Sequence, residues 1–111
     1  MPLLNISTNK EIKNEQMLLA KSSALISSLT GKPEKFVMVK LTDSLKMYFS
    51  GTNETCCFIE IKSIGSLEPS KMSKKICEFF SNELEISKER IYIYFQNVEP
   101  NMWAWNSKTF G

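Results

Sequence analysis

The chain has 111 residues, 42% hydrophobic and 23% charged, and its 14 basic and 12 acidic side chains leave a formal net charge of +2. That balance excludes a disordered polyelectrolyte, and mixed stretches such as Lys32-Pro33-Glu34-Lys35 and Lys88-Glu89-Arg90 form no basic stripe of the kind that tracks phosphates. No apolar run approaches the roughly 20 residues of a membrane span, so neither nucleic acid nor a membrane is an expected partner.

Leu3, Leu4 and Ile6, followed by the polar Ser7-Thr8-Asn9, predict a first strand ended by a turn. Thr8 and Glu11 have the spacing of a capping box for the helix that follows. In that helix Ile12, Leu19 and Ile26 recur every seven residues, with Leu18, Leu25 and Leu29 beside them, giving one apolar stripe. Gly31 suits the C-cap, and Pro33 prevents continuation. Residues 36–41 form a strongly β-prone run, and residues 45–49 read as a short strand before the turn chemistry of Ser50-Gly51-Thr52-Asn53. A further strand covers 57–61 and ends at Ser63-Ile64-Gly65. Pro69 opens a second helix, in which Met72, Ile76, Phe79, Phe80 and Leu84 recur at three- and four-residue steps. Residues 91–95 are the last strong strand. The tail, from Pro100 through Trp103, Trp105 and Phe110, is aromatic and too short for a helix of its own.

This order, β-α-β-β, then β-α-β and a tail strand, predicts an α/β fold in a single domain spanning residues 1–111. The expected architecture is a pseudo-duplicated β-α-β sandwich with two helices on one face of a four-stranded mixed sheet. The halves share no visible sequence identity. Apolar side chains on the second sheet face imply burial against copies of the same chain, hence an oligomer.

Three cysteines, Cys56, Cys57 and Cys77, are odd in number and lack framework spacing, which argues against a disulfide-stapled secreted domain. Adjacent Cys56 and Cys57 point to opposite faces of a strand and make poor partners for each other. There is no histidine. Ser-His and Cys-His nucleophilic pairs and the usual zinc sites are therefore excluded, and proton transfer falls to a different base. The first residues show no positive leader followed by an apolar stretch, so the expectation is cytoplasmic synthesis of a soluble protein with reduced thiols. Export by another route would leave no mark.

Five segments, MPLLNISTN, TGKPEKFVMVKL, SIGSL, ERIYIYF and WNSKTFG, occur in an order and spacing that resemble the macrophage migration inhibitory factor and D-dopachrome tautomerase family over essentially the whole chain. The resemblance implies the tautomerase fold as a homotrimer with active sites between subunits. It implies keto–enol tautomerisation of aryl pyruvates such as phenylpyruvate, and of dopachrome derivatives, with neither metal nor organic cofactor. It also implies cytokine-like activity at a cell-surface receptor, reached without a signal peptide. A second reading keeps that signalling role and makes the pocket non-catalytic.

On position alone, Pro2 reads equally as the start of an edge strand, where its missing N–H is harmless, and as a catalytic group. Removal of Met1 would free a secondary amine on a rigid ring. An ordinary α-amine titrates at about 7.7–8.0, and apolar burial and a nearby cation both lower it. That moves the amine toward the basicity that proton abstraction beside a carbonyl requires. Lys32, taken alone, reads as a solvated loop charge; the resemblance implies that it meets the substrate carboxylate and supplies the cation beside Pro2. The resemblance also places Ser63 and Ile64 at the substrate, Ile64 through its backbone N–H, with Gly65 permitting the turn. It implies that Tyr92 reaches a neighbouring subunit's site, that Tyr94 stands there where better-known members carry asparagine, and that Leu3, Phe36, Trp103, Trp105 and Phe110 form the pocket wall and rim. Cys56-Cys57-Phe58-Ile59 lacks the Cys-x-x-Cys motif of some members, so no thiol oxidoreductase activity is expected. Lys62, where the mammalian cytokine has histidine, adds positive charge near the pocket mouth.

Overall fold

Alternation with a period of two decides which strand side chains meet the helices. In the computed structural model, which describes residues 1–111, strands β1 (Leu3–Thr8), β2 (Met38–Thr42), β3 (Cys57–Ser63) and β4 (Ile91–Asn97) form one sheet in the order β2-β1-β3-β4. β1 runs parallel to β2 and β3 parallel to β4, and the two pairs join antiparallel along β1 and β3. Leu4 and Ile6 of β1 and Ile59 and Ile61 of β3 point to one face. There they meet Leu18 and Ile26 of helix α1 (Glu15–Thr30) and Met72, Ile76, Phe80 and Leu84 of helix α2 (Pro69–Leu84) in a single core. Each fully enclosed aliphatic or aromatic side chain contributes about 1.5–3 kcal/mol relative to exposure. Neither helix is long and apolar enough to cross a membrane.

The opposite sheet face has no helix. On it Met38, Tyr92 and Tyr94 are 62%, 63% and 47% exposed, beside a polar pair in which Asn5 Nδ2 donates to Glu60 Oε2 at 3.0 Å.

The predicted pseudo-duplication holds in detail. α1 and α2 are offset by 54 residues at both ends, Glu15 to Pro69 and Thr30 to Leu84. Their exits match as well. Gly31 and Glu85 both take left-handed backbone, with φ of 73° and 55°. The Ser27 and Ser81 hydroxyls each donate to a carbonyl five residues on, Lys32 at 2.6 Å and Ile86 at 2.7 Å. A 3₁₀ turn then leads into the next strand, Glu34–Phe36 before β2 and Lys88–Arg90 before β4. Glycine adopts this conformation freely, whereas Glu85 does so at a cost of roughly 1–2 kcal/mol.

Two expectations fail. Thr8 does not cap α1: it is the last residue of β1, and its hydroxyl donates across the sheet to the Cys56 carbonyl at 2.7 Å. The helix starts only at Glu15, and Ile12 precedes it with its N–H donating to Asp43 Oδ2 at 2.8 Å. Residues 45–49 are not a strand either. They form no ladder: Leu45 N–H makes one bond to the Thr8 carbonyl at the end of β1, and Phe49 bridges only to Thr52. β2 begins at Met38 because the 3₁₀ turn takes residues 34–36.

The irregular segment after β2 is fastened by one side chain. Arg90 donates through Nε to the Thr55 carbonyl at 2.9 Å, through Nη1 to Phe49 at 3.1 Å and through Nη2 to Glu54 at 2.9 Å. Its guanidinium also lies 5.2 Å from the Phe49 ring centroid, and that ring packs edge-on against Tyr92. Arg90→Ala is expected to lower the melting temperature by roughly 5–10 °C, since three charge-assisted bonds to carbonyls are lost. Arg90→Lys should recover only part of this, because one ammonium cannot reach three carbonyls. A melting temperature for Arg90→Ala within about 1 °C of wild type would show that the staple contributes nothing.

The tail forms a 3₁₀ turn, Pro100–Met102, and a short hairpin of β5 (Ala104–Trp105) and β6 (Lys108–Thr109). Asn106 and Ser107 turn it with φ of 51° and 71°, the left-handed pair that suits a two-residue hairpin loop.

Candidate active site

The site assembles where β1 enters the sheet. Pro2 is fully enclosed, and its carbonyl accepts the Met38 N–H at 3.0 Å, so the ring is held at the end of the β1–β2 ladder. The left-handed exit at Gly31 turns the chain after α1, and the Ser27 hydroxyl fixes the Lys32 carbonyl. Phe110 is tied down by its N–H, shared between the carbonyls of Pro100 at 3.1 Å and Trp103 at 3.0 Å.

Two cavities meet here. One of ≈ 360 Å³ is lined by Pro2, Leu3, Phe36, Val37, Met38, Trp103, Ala104, Trp105 and Phe110, with Lys35 as its one charged group. The other, of ≈ 310 Å³, is lined by Lys32, Pro33, Ile64 and Pro100. Met1, Phe36 and Phe110 line both, so the first residue stands on the boundary between an apolar chamber and a cationic one. Phe36 and Trp105 pack edge to face at 5.7 Å, and Lys35 Nζ lies 4.9 Å from the Phe36 ring centroid. Such a wall suits an aromatic ring.

The electrostatics run one way. The ion pairs of the fold are Lys21–Glu83 and Lys71–Glu68, so Lys32 carries an unpaired positive charge. The amino group of the chain terminus, here on Met1, is held below its ordinary value near 8.0, first by burial and second by the charge of Lys32. Both effects favour the neutral amine.

The subunit therefore brings together Pro2, Leu3, Lys32, Phe36, Ile64, Trp103, Trp105 and Phe110. It does not bring Ser63, Tyr92 or Tyr94 to these cavities. Ser63 is fully buried on the helix side of the sheet. Tyr92 and Tyr94 stand on the open face, Tyr92 with its ring 4.8 Å from that of Phe49. Sequence reasoning missed Lys35 and Met38. Met38 was within reach of it: parallel pairing of β1 and β2 sets Leu3 beside Met38. Lys35 carried no signal beyond its place before Phe36.

A further cavity of ≈ 290 Å³ lies between the start of α1 and the end of α2. Its Lys10 amine is committed to the Leu84 carbonyl at the end of α2, a favourable place for a cation. The cysteines are free, and burial, with Cys56 alongside, pushes the Cys57 thiol up to about 12. That thiol is protonated at neutral pH and a weak nucleophile.

A family model described as macrophage migration inhibitory factor (MIF) matches residues 1–111. A macrophage migration inhibitory factor homolog of Brugia malayi is 32% identical, with all of both chains covered. Macrophage migration inhibitory factor of Mus musculus is 30% identical, with 99% of each chain covered. Among solved structures, a macrophage migration inhibitory factor homologue from Prochlorococcus marinus matches with a TM-score of 0.93 and 38% identity, over 98% of this chain and 99% of that one.

Proposed function

The chain belongs to the macrophage migration inhibitory factor family, and from that premise we propose that it is a phenylpyruvate-type keto–enol tautomerase whose general base is the amine of Pro2. The observation that carries the reading is the position of Met1. It lies between an aromatic-walled chamber and the unpaired Lys32. Its removal joins the two spaces and leaves a secondary amine at their junction.

The neutral amine takes a proton from the methylene carbon of an aryl pyruvate. The C–H electron pair becomes the carbon–carbon double bond, and the carbonyl π pair moves onto oxygen. Lys32 and the Ile64 N–H hold the carboxylate and the developing oxyanion, the largest electrostatic contribution in such reactions. The Pro2 ammonium then delivers its proton to that oxygen, which gives the enol and restores the base. The reverse sequence converts enol to keto acid. Burial and the charge of Lys32, which lower the amino group of Met1, favour the neutral form of an amine at this junction, the form a base needs.

The proposal includes a homotrimer. Exposed Met38, Tyr92 and Tyr94 on the open sheet face offer the surface for it, and the two tyrosines, absent from this subunit's cavities, would serve a neighbour's. The test pairs intact-mass measurement with phenylpyruvate turnover. Active protein is expected to lack Met1, and protein blocked from processing to be inactive. Full activity in a chain that retains Met1 would remove the amine from the mechanism.

A further inference from the structure

The short stretch between α1 and β2 delivers two cations to the site. Lys32 follows the left-handed exit at Gly31, and Lys35 lies within the 3₁₀ turn Glu34–Phe36. Lys32 lines the smaller cavity and Lys35 the aromatic chamber, and Phe36 is a wall of both. Lys35 Nζ lies 4.9 Å from the centroid of the Phe36 ring. A cation–π contact of this kind holds the ammonium against the wall without engaging its N–H donors as a carboxylate would.

No acidic group in the site neutralises either charge. No Asp or Glu lines either cavity. Glu34, the acidic residue between the two lysines, is turned to α1, where its Oε2 accepts from the Ser23 hydroxyl at 2.9 Å. Lys35 takes part in neither ion pair of the fold. Two adjoining spaces that share a wall therefore hold one uncompensated cation each.

A substrate with a single carboxylate answers only one of them. When Lys32 takes the carboxylate of the keto acid, the aryl ring falls to the chamber walled by Phe36, Trp103 and Trp105. Lys35 is the charged group of that chamber. In a pocket that is otherwise apolar, a polar group of this kind decides which ligand is preferred. A bare ring leaves the ammonium unanswered, and a ring bearing an anion pairs with it.

We propose that Lys35 is a specificity-determining residue, and that the preferred substrates are aryl pyruvates carrying a second acidic group on the ring. The inference rests on the reading of Lys32 as the partner of the keto-acid carboxylate. The ring anion accepts from the Lys35 ammonium and takes no part in the proton transfer. Lys35 is exposed, so solvent screens the attraction and its effect on selectivity is modest, roughly two- to fivefold.

The test compares 4-carboxyphenylpyruvate with phenylpyruvate on Met1-free protein, as the ratio of their kcat/KM values. Lys35→Gln is expected to lower that ratio about two- to fivefold, Lys35→Glu to lower it further, and Lys35→Arg to keep it. The wild-type ratio should also fall in about 1 M salt, where the screening length is about 3 Å. An equal ratio in wild type and Lys35→Gln overturns the proposal. So does an equal fall in Lys74→Gln, which removes the same charge from an exposed position on α2, because net charge alone would then account for the preference. Both tryptophans of the chain line the chamber, so quenching of their fluorescence gives the same ratio from binding affinities. A Lys35-dependent binding ratio in protein that turns over neither compound supports this inference and sinks the tautomerase reading. Turnover of both compounds with a Lys35-independent ratio sinks this inference alone.

Discussion

Pro2→Gly, with Met1 removed, is expected to lower kcat/KM for phenylpyruvate tautomerisation by about 10²–10⁴-fold, the range for loss of a positioned general base. The variant keeps an α-amine, which makes it a demanding test. What it loses is the ring. A glycine amine is primary, rotates freely and draws water to itself, whereas the proline nitrogen is locked into a buried five-membered ring at the end of the β1–β2 ladder. The Met38 N–H still finds the carbonyl of residue 2, so the sheet should survive and the melting temperature should change little. Activity within about threefold of wild type would place the base elsewhere.

Lys32→Ala carries the second large effect, and it has two separable parts. An aryl pyruvate carboxylate loses its charge-assisted partner, worth about 1.5–3 kcal/mol, so KM should rise roughly 10- to 100-fold. The pH profile should move too. The Lys32 charge helps to hold the terminal amine below its ordinary value. Its removal raises the amine pKa, and the acidic limb of kcat/KM shifts to higher pH. Lys32→Arg keeps the charge and should keep the limb in place while disturbing carboxylate geometry. A Lys32→Ala profile with unchanged KM and unchanged limb would show that the residue is an ordinary surface charge.

The strands and helices were legible because their signals are local. Alternation through Leu4, Ile6 and Thr8 and the three- and four-residue steps through Met72, Ile76 and Phe80 are properties of single segments, and the core preserves them. Ser63 was equally legible, since Cys57, Ile59 and Ile61 point to the helices and so must Ser63. The resemblance sets it at the substrate, whereas in this chain its side chain lies on the helix side and lines neither cavity. Thr8 misled for the opposite reason. A capping box and a cross-strand hydroxyl bond use the same side chain, and only the packing of Cys56 against β1 decides between them. Residues 45–49 have strand composition, but a strand also needs a neighbour, which local composition does not supply. Tyr92 and Tyr94 lie outside the subunit's own cavities, so composition and a single chain together show only two exposed rings.

The offset of 54 residues between the halves gives the molecule two equivalent doorways, and it opens only one. Pro2, Lys32 and Phe36 correspond to Cys56, Ile86 and Arg90. At the second doorway Cys56 and Ile86 are packed shut, and Arg90 bolts down the loop in front. Matching positions therefore answer to different masters: damage at Cys56, Ile86 or Arg90 should appear as lost folding, and damage at Pro2, Lys32 or Phe36 as lost chemistry.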